Sequence, residues 1–66
     1  MLLTVNGEIH EVEGPISILG LIERFGFEAH KVAIERNLEI VPRSTYGATF
    51  LSEGDRLEIV HFVGGG

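Results

Sequence analysis

The fold is decided by the opening stretch, Met1-Leu2-Leu3-Thr4-Val5-Asn6-Gly7-Glu8-Ile9-His10-Glu11-Val12-Glu13. Asn-Gly between two strand-like runs is a strong hairpin signal, because a type I′ turn needs positive φ at both central residues. A two-residue loop pairs Val5 with Glu8 and fixes the register. Leu3, Val5 and Val12 then share one face, and Ile9 lies on the other. The sequence therefore predicts a β-hairpin with one face toward a core.

A helix is predicted after this hairpin. Gly14-Pro15 breaks the second strand, and Ser17 is a candidate N-cap. The following apolar residues have the spacing of one helical stripe: Ile18, Leu19, Leu21, Ile22 and Phe25. Gly26 fits the left-handed residue that ends a helix, and Phe27 is expected to fold back as its apolar contact.

A second hairpin is predicted downstream of the helix. Residues 31–36 form a strand, Asn37-Leu38 a tight turn and residues 39–41 a short return strand. Pro42 ends that strand because proline has no N–H to donate to a sheet.

A crossing segment and a last strand complete the chain. In segment 43–50 we expect Tyr46 and Phe50 to fill one end of the core. Residues 53–55 form a turn, and residues 57–63 form the last strand. Strands and one helix in this order are typical of a two-layer α+β domain.

Composition limits what this chain can do. It has 66 residues, so we expect one domain, spanning residues 1–66. A domain of this size buries only about 60% of the surface that its unfolded chain exposes, which leaves no room for a deep catalytic cavity. It contains no cysteine, which excludes disulfides, thiolate metal sites and a cysteine nucleophile.

Charge and hydropathy indicate the kind of partner and compartment. The formal net charge is −5, which argues against nucleic acid and favours a partner with a basic docking surface. No apolar run approaches the roughly 20 residues that span a membrane. No signal peptide is evident, so a cytoplasmic location is expected. The three histidines lack a metal-ligand spacing, so we predict no metal site.

The last strand runs directly into Gly64-Gly65-Gly66. Glycine lacks a Cβ, so a flexible tail of this kind is thin enough to enter a narrow channel. Its last group is the carboxylate of Gly66, which is ionised at neutral pH and is a poor electrophile until activated. The alternative is a frayed chain end without a role.

The two sides of the last strand predict a docking surface. Side chains alternate along a strand, and Leu57 and Ile59 are the better candidates for the side that the helix covers. Glu58, Val60 and Phe62 then lie on the open side and form a candidate partner-docking patch beside the tail. The alternative is that a bulge turns Phe62 inward, or that the crossing segment covers the patch.

Three stretches carry a family resemblance: Val5-Asn6-Gly7-Glu8, Glu35-Arg36-Asn37-Leu38-Glu39-Ile40-Val41-Pro42-Arg43 and Leu57-Glu58-Ile59-Val60-His61-Phe62-Val63-Gly64-Gly65-Gly66. Together with the chain length they resemble the ThiS family, the sulfur carrier proteins of thiamine biosynthesis. The resemblance covers essentially the whole chain. Leu38 departs from it, since a glycine often follows the asparagine there.

The resemblance implies a β-grasp (ubiquitin-like) fold, in which the last strand lies in the middle of a mixed sheet beside the first. It also implies that the chain is a carrier and not an enzyme. A partner adenylating enzyme uses ATP with Mg²⁺ to activate the Gly66 carboxylate. Sulfur from a cysteine desulfurase then yields a thiocarboxylate, which thiazole synthase consumes. The tail, Gly64, Gly65 and Gly66, enters the partners' active sites. The free chain is expected to be a monomer without a cofactor of its own.

Two other function classes stay open at this stage. One is another β-grasp carrier, such as the small subunit of molybdopterin synthase, or a ubiquitin-like protein modifier. The other is a plain interaction module whose tail has no role.

Overall fold

The structure, a computed structural model, describes residues 1–62. Its regular elements are β1 (Leu2–Val5), β2 (Glu8–Glu11), α1 (Ile18–Arg24), β3 (Val32–Arg36), β4 (Glu39–Val41) and β5 (Arg56–His61). The strands form one mixed sheet in the order β2-β1-β5-β3-β4. The last strand, β5, is parallel to β1 on one side and antiparallel to β3 on the other. The predicted α+β class and the β-grasp arrangement are confirmed.

The first hairpin has the predicted register. Val5 pairs with Glu8, and the turn residues Asn6 and Gly7 have φ values of 50° and 83°. Positive φ at both positions is the type I′ requirement that favours this dipeptide. The predicted core-facing residues of the hairpin are buried, and Ile9 is exposed. The prediction of the two faces is therefore confirmed.

The helix begins and ends at the predicted signals. The Ser17 hydroxyl accepts a hydrogen bond from the Gly20 N–H at 3.0 Å, as an N-cap does. After the last turn Gly26 has a φ of 83°. The Phe27 N–H donates to the Ile22 carbonyl at 3.0 Å, which closes the helix with the glycine-terminated cap.

The core lies between α1 and one face of the sheet. Its buried apolar residues are Leu3, Val5, Val12, Ile18, Leu21, Ile22, Val32, Ile34, Tyr46, Leu51, Leu57 and Ile59. The opposite face of the sheet, called here the open face, has no helix over it in residues 1–62. None of the helices in this part of the chain is long and apolar enough to cross a membrane.

The prediction that Phe50 fills one end of the core is wrong, whereas that for Tyr46 is confirmed. Tyr46 is buried, and its hydroxyl donates to the Val32 carbonyl at 3.4 Å. Phe50 is instead 54% exposed, and its neighbour Leu51 is buried. The Leu51 N–H donates to the Ile16 carbonyl, and this extended backbone turns alternate side chains to opposite sides. Leu51 therefore faces the core where Phe50 was expected.

The start of the third strand also differs from the prediction by one residue. Lys31 closes a short 3₁₀ turn, Ala29–Lys31, and β3 begins at Val32. Strand ends are among the least certain features of a sequence-based assignment. The two inward residues predicted for this strand, Val32 and Ile34, are both buried.

The turn of the second hairpin is strained. Asn37 and Leu38 have φ values of 51° and 72°. Asparagine tolerates this region, but a leucine there brings its Cβ close to the backbone. The Leu38 side chain is also exposed, so burial does not offset the strain.

A buried carboxylate ties this turn to the start of β5. Asp55 lies 2.7 Å from Nη2 of Arg36, and it accepts hydrogen bonds from the Asn37 amide and the Ser52 N–H. Burial alone raises the pKa of Asp55, but these hydrogen bonds and the Arg36 charge outweigh it and lower the pKa below its ordinary value. The sequence indicated only a turn here.

We expect Asp55→Asn to lower the free energy of unfolding at pH 7 by about 2 kcal/mol, because it removes a charged acceptor from the donor groups of Arg36, Asn37 and Ser52. The folded-state pKa is depressed, so this stabilisation is present above the unfolded-state pKa of about 3.9. It is lost as the pH falls through the lower folded-state value. Urea unfolding of both proteins at pH 7 and pH 3 measures the difference.

The matched control is Glu13→Gln, since Glu13 is an exposed carboxylate. It should leave the free energy of unfolding nearly unchanged at both pH values. A difference between Asp55→Asn and the parent protein that stays constant between pH 7 and pH 3 would contradict the role assigned to Asp55.

Candidate functional site

The two faces of β5 differ sharply. Leu57 and Ile59 are buried against the helix side, whereas Val60 is 55% exposed and Glu58 is exposed. Phe62, which follows the strand, is 47% exposed. The structure therefore places Glu58, Val60 and Phe62 at the surface. Neither a bulge nor the crossing segment buries Phe62.

Neighbouring strands extend this exposed surface. Val60 lies opposite Ala33, and Glu58 lies opposite Glu35. Glu35 in turn pairs with Ile40 of β4, which is 79% exposed. These five residues line one shallow depression on the open face, called here the open patch.

Sequence reasoning missed three members of this patch, Ala33, Glu35 and Ile40. The signal was present, because a two-residue turn at Asn37-Leu38 fixes the pairing of Glu35 with Ile40. Ile40 must then lie on the face opposite to the buried Ile34.

The open patch is acidic at its centre. Glu35 and Glu58 lie directly opposite each other on adjacent strands, an arrangement in which like charges repel. Among the ion pairs of residues 1–62, none involves either carboxylate. A cation brought by a partner would relieve this repulsion, while Ile40 and Val60 offer apolar contact.

The histidines take part in local ring contacts. The His61 ring lies 4.8 Å from that of Phe27, and the His10 ring lies 5.1 Å from that of Phe25. In residues 1–62 no group of three or more metal-ligating side chains lies close enough together to hold an ion.

The chain is held in the sheet as far as its last described residue. The Phe62 N–H donates to the Lys31 carbonyl at 2.8 Å. On the other edge of β5, the side chain of Asn6 hydrogen-bonds to both backbone groups of Ile59. The predicted tail residues Gly64, Gly65 and Gly66 lie outside the described residues.

Solved structures share this architecture. The chain aligns over its full length with the crystal structure of the thiamine biosynthesis protein ThiS from Geobacter metallireducens, with a TM-score of 0.83 and 35% sequence identity, and it covers 100% of that chain. The solution structure of a thiamine biosynthesis protein from the same organism gives a TM-score of 0.81 at 35% identity. There it covers 88% of the other chain.

Curated sequences give two kinds of relative. The chain is 42% identical to the sulfur carrier protein ThiS of Bacillus subtilis over 50 residues, and this alignment covers 76% of each chain. Over all 66 residues it is 48% identical to a thiazole synthase of Magnetococcus marinus and 46% identical to one of Paramagnetospirillum magneticum. The chain spans only 20% of the length of each of these two synthases.

A family model confirms what these similarities indicate. The model of the ThiS family matches residues 3–66, which is nearly the whole chain. With the β-grasp sheet and the full-length structural likeness, this match shows that the chain belongs to the ThiS family.

Proposed function

We propose that this chain is a sulfur carrier for thiamine thiazole biosynthesis and that it holds the sulfur as a thiocarboxylate at Gly66. The observation that carries the proposal is the ThiS family match over residues 3–66, which includes all three tail glycines. The likeness to the B. subtilis sulfur carrier supports the same function. In this proposal residues 1–66 act as one domain, and its tail, residues 64–66, is the part presented to the partner enzymes.

The chemistry needs no catalytic group on this chain. A carboxylate is a poor electrophile, but attack of its oxygen on the α-phosphorus of ATP releases pyrophosphate and gives an acyl-adenylate with a good leaving group. The terminal sulfur of the desulfurase persulfide attacks the acyl carbon and expels AMP, and a thiol reductant then cleaves the S–S bond to leave the thiocarboxylate. In this proposal ATP and Mg²⁺ act at the adenylating partner, the carrier has no cofactor or metal of its own, and it is not itself an enzyme. A cytoplasmic location, where ATP is supplied, belongs to the same proposal.

The partners are an adenylating enzyme, a cysteine desulfurase that supplies sulfur, and thiazole synthase. Two thiazole synthases support thiazole synthase as a partner, since a fifth of each of their sequences resembles this chain. The free carrier is proposed to be a monomer that binds no nucleic acid, consistent with a net charge of −5.

Docking is assigned to the open patch together with Phe62, which shortly precedes the tail in the sequence. Its exposed apolar side chains, Val60, Phe62 and Ile40, are of the type that partner surfaces bury. The opposed carboxylates Glu35 and Glu58 favour a partner with basic residues at the matching position.

Intact mass tests the function directly. The chain is incubated with ATP, Mg²⁺, the adenylating enzyme and a sulfur source. We expect a mass gain equal to one oxygen replaced by sulfur, located at Gly66 by fragmentation. Absence of this mass gain would contradict the proposal. Stable linkage of the chain to lysines of other proteins would also contradict it and would favour a protein modifier.

Deletion of Gly65 and Gly66 should abolish activation and leave stability nearly unchanged. The two residues carry no side chains to bury, whereas a displacement of reacting groups by about 1 Å can cost about 100-fold in rate. AMP formation and the thermal midpoint of the truncated chain measure the two effects. Activation at the parental rate, or a midpoint lower by many degrees, would count against the assignment.

Val60→Asp should weaken binding to the adenylating enzyme by about 2–4 kcal/mol and leave a folded chain, because it places a charge in an apolar contact. Ile59→Asp should unfold the chain, since it buries an unpaired charge. Circular dichroism and a binding titration on both variants distinguish the two faces of β5.

The matched control is Phe50→Asp, because Phe50 is 54% exposed and Val60 is 55% exposed. Phe50 lies outside the open patch, so this variant should bind with nearly parental affinity. Equal weakening by Phe50→Asp and Val60→Asp would show that added negative charge, and not the patch, determines binding.

A further inference from the structure

We propose that Asn6 is a positioning residue, whose side chain fixes the end of β5 and so sets the direction in which the chain leaves the sheet toward Gly66. Its consequence for activation rests on the proposed carrier function. The clamp itself is a property of the free chain and can be tested without any partner.

The clamp begins where β1 ends. The parallel ladder between β1 and β5 stops at the pair Val5–Leu57, and the Asn6 N–H donates to the Leu57 carbonyl at 2.9 Å. The Asn6 side chain then continues the ladder. Its Oδ1 accepts from the Ile59 N–H at 2.7 Å, and its Nδ2 donates to the Ile59 carbonyl at 3.2 Å.

Asn6 is the last attachment on this edge of β5 within residues 1–62. The backbone groups of alternate strand residues point to the same edge, so those of His61 point the same way as those of Ile59. In the described part of the chain, neither the N–H nor the carbonyl of His61 has a partner there. On the opposite edge, pairing with β3 and Lys31 continues to Phe62. Without Asn6, the end of β5 would be held from one side only.

The hairpin does not need this side chain. The turn requires positive φ at position 6, where φ is 50°, and glycine adopts that conformation without strain. Asn6→Gly therefore preserves the turn and removes only the two hydrogen bonds to Ile59. A positioning role can thus be separated from a role in forming the hairpin.

The chain offers a matched control in Asn37. It is also the first residue of a two-residue turn, with a φ of 51°. Its Oδ1 accepts from the Arg56 N–H at 3.0 Å, and its Nδ2 donates to Asp55 at 3.1 Å. Asn37→Gly thus removes two hydrogen bonds at the start of β5, the end of the strand that is farther from Gly66 along the chain.

Hydrogen exchange of the free chain tests the clamp. Loss of the two hydrogen bonds should raise the equilibrium constant for local opening of this strand end by about tenfold. In Asn6→Gly we therefore expect the amides of Ile59, Val60 and Phe62 to exchange about tenfold faster than in the parent. In Asn37→Gly they should exchange within about twofold of the parent once global stability is corrected for. Parental protection of these amides in Asn6→Gly, or equal loss in both variants, would overturn the clamp.

Activation kinetics test the consequence. With the adenylating enzyme, Asn6→Gly should lower kcat by about tenfold or more at a nearly unchanged KM, because docking is preserved while the carboxylate is misplaced. Asn6→Asp keeps an acceptor for the Ile59 N–H, so its kcat should lie between those of Asn6→Gly and the parent. Asn37→Gly should keep kcat within about twofold at a temperature where all variants are folded.

The outcomes distinguish this inference from the proposed function. A kcat that falls equally in Asn6→Gly and Asn37→Gly, or a rise in KM alone, would overturn the positioning role. Failure of the parent chain to be activated would instead contradict the carrier function, and hydrogen exchange would still decide whether Asn6 holds the end of β5.

Discussion

The hydrogen bonds along the two edges of β5 join a first hairpin to a second one, and the rest of the structure depends on them. One edge pairs with β1 and the other with β3. The strand's inward residues, Leu57 and Ile59, complete the core beneath the helix. Its outward residues are left at the surface, where we propose that a partner binds. In that proposal, the alternation of side chains along a single strand separates core formation from partner binding.

Local signals in the sequence predicted most elements, because each has a nearby physical cause. Asn6-Gly7 fixed the first hairpin through the need for positive φ, and Ser17 and Gly26 marked the two helix ends through their hydrogen-bonding and conformational preferences. Alternation along the last strand also predicted the exposure of Val60 and Phe62. These inferences require only residues that are close together in the chain.

Features that depend on distant residues were not predictable in this way. The central position of β5 came from the family resemblance, since periodicity cannot tell which strands pair. Phe50 and Leu51 are adjacent apolar residues in an irregular segment, and backbone hydrogen bonds to the distant residues Ile16 and Ile18 decide which of the two faces inward. The Asn6 clamp joins residues 53 positions apart, and a turn signal at Asn6 carries no information about Ile59.

The central place of β5 has a consequence for synthesis of the chain. A ribosome produces the chain from its N-terminus, so both hairpins and the helix emerge before residues 56–61 do. Until then β1 and β3 each lack a neighbour, and their apolar faces have no complete core to join. The sheet can close only when its last strand arrives, which makes folding a late, nearly all-or-none event. A chain that ended before β5 would lack the strand that joins its two hairpins, so we expect it to stay unfolded and to be degraded by proteases.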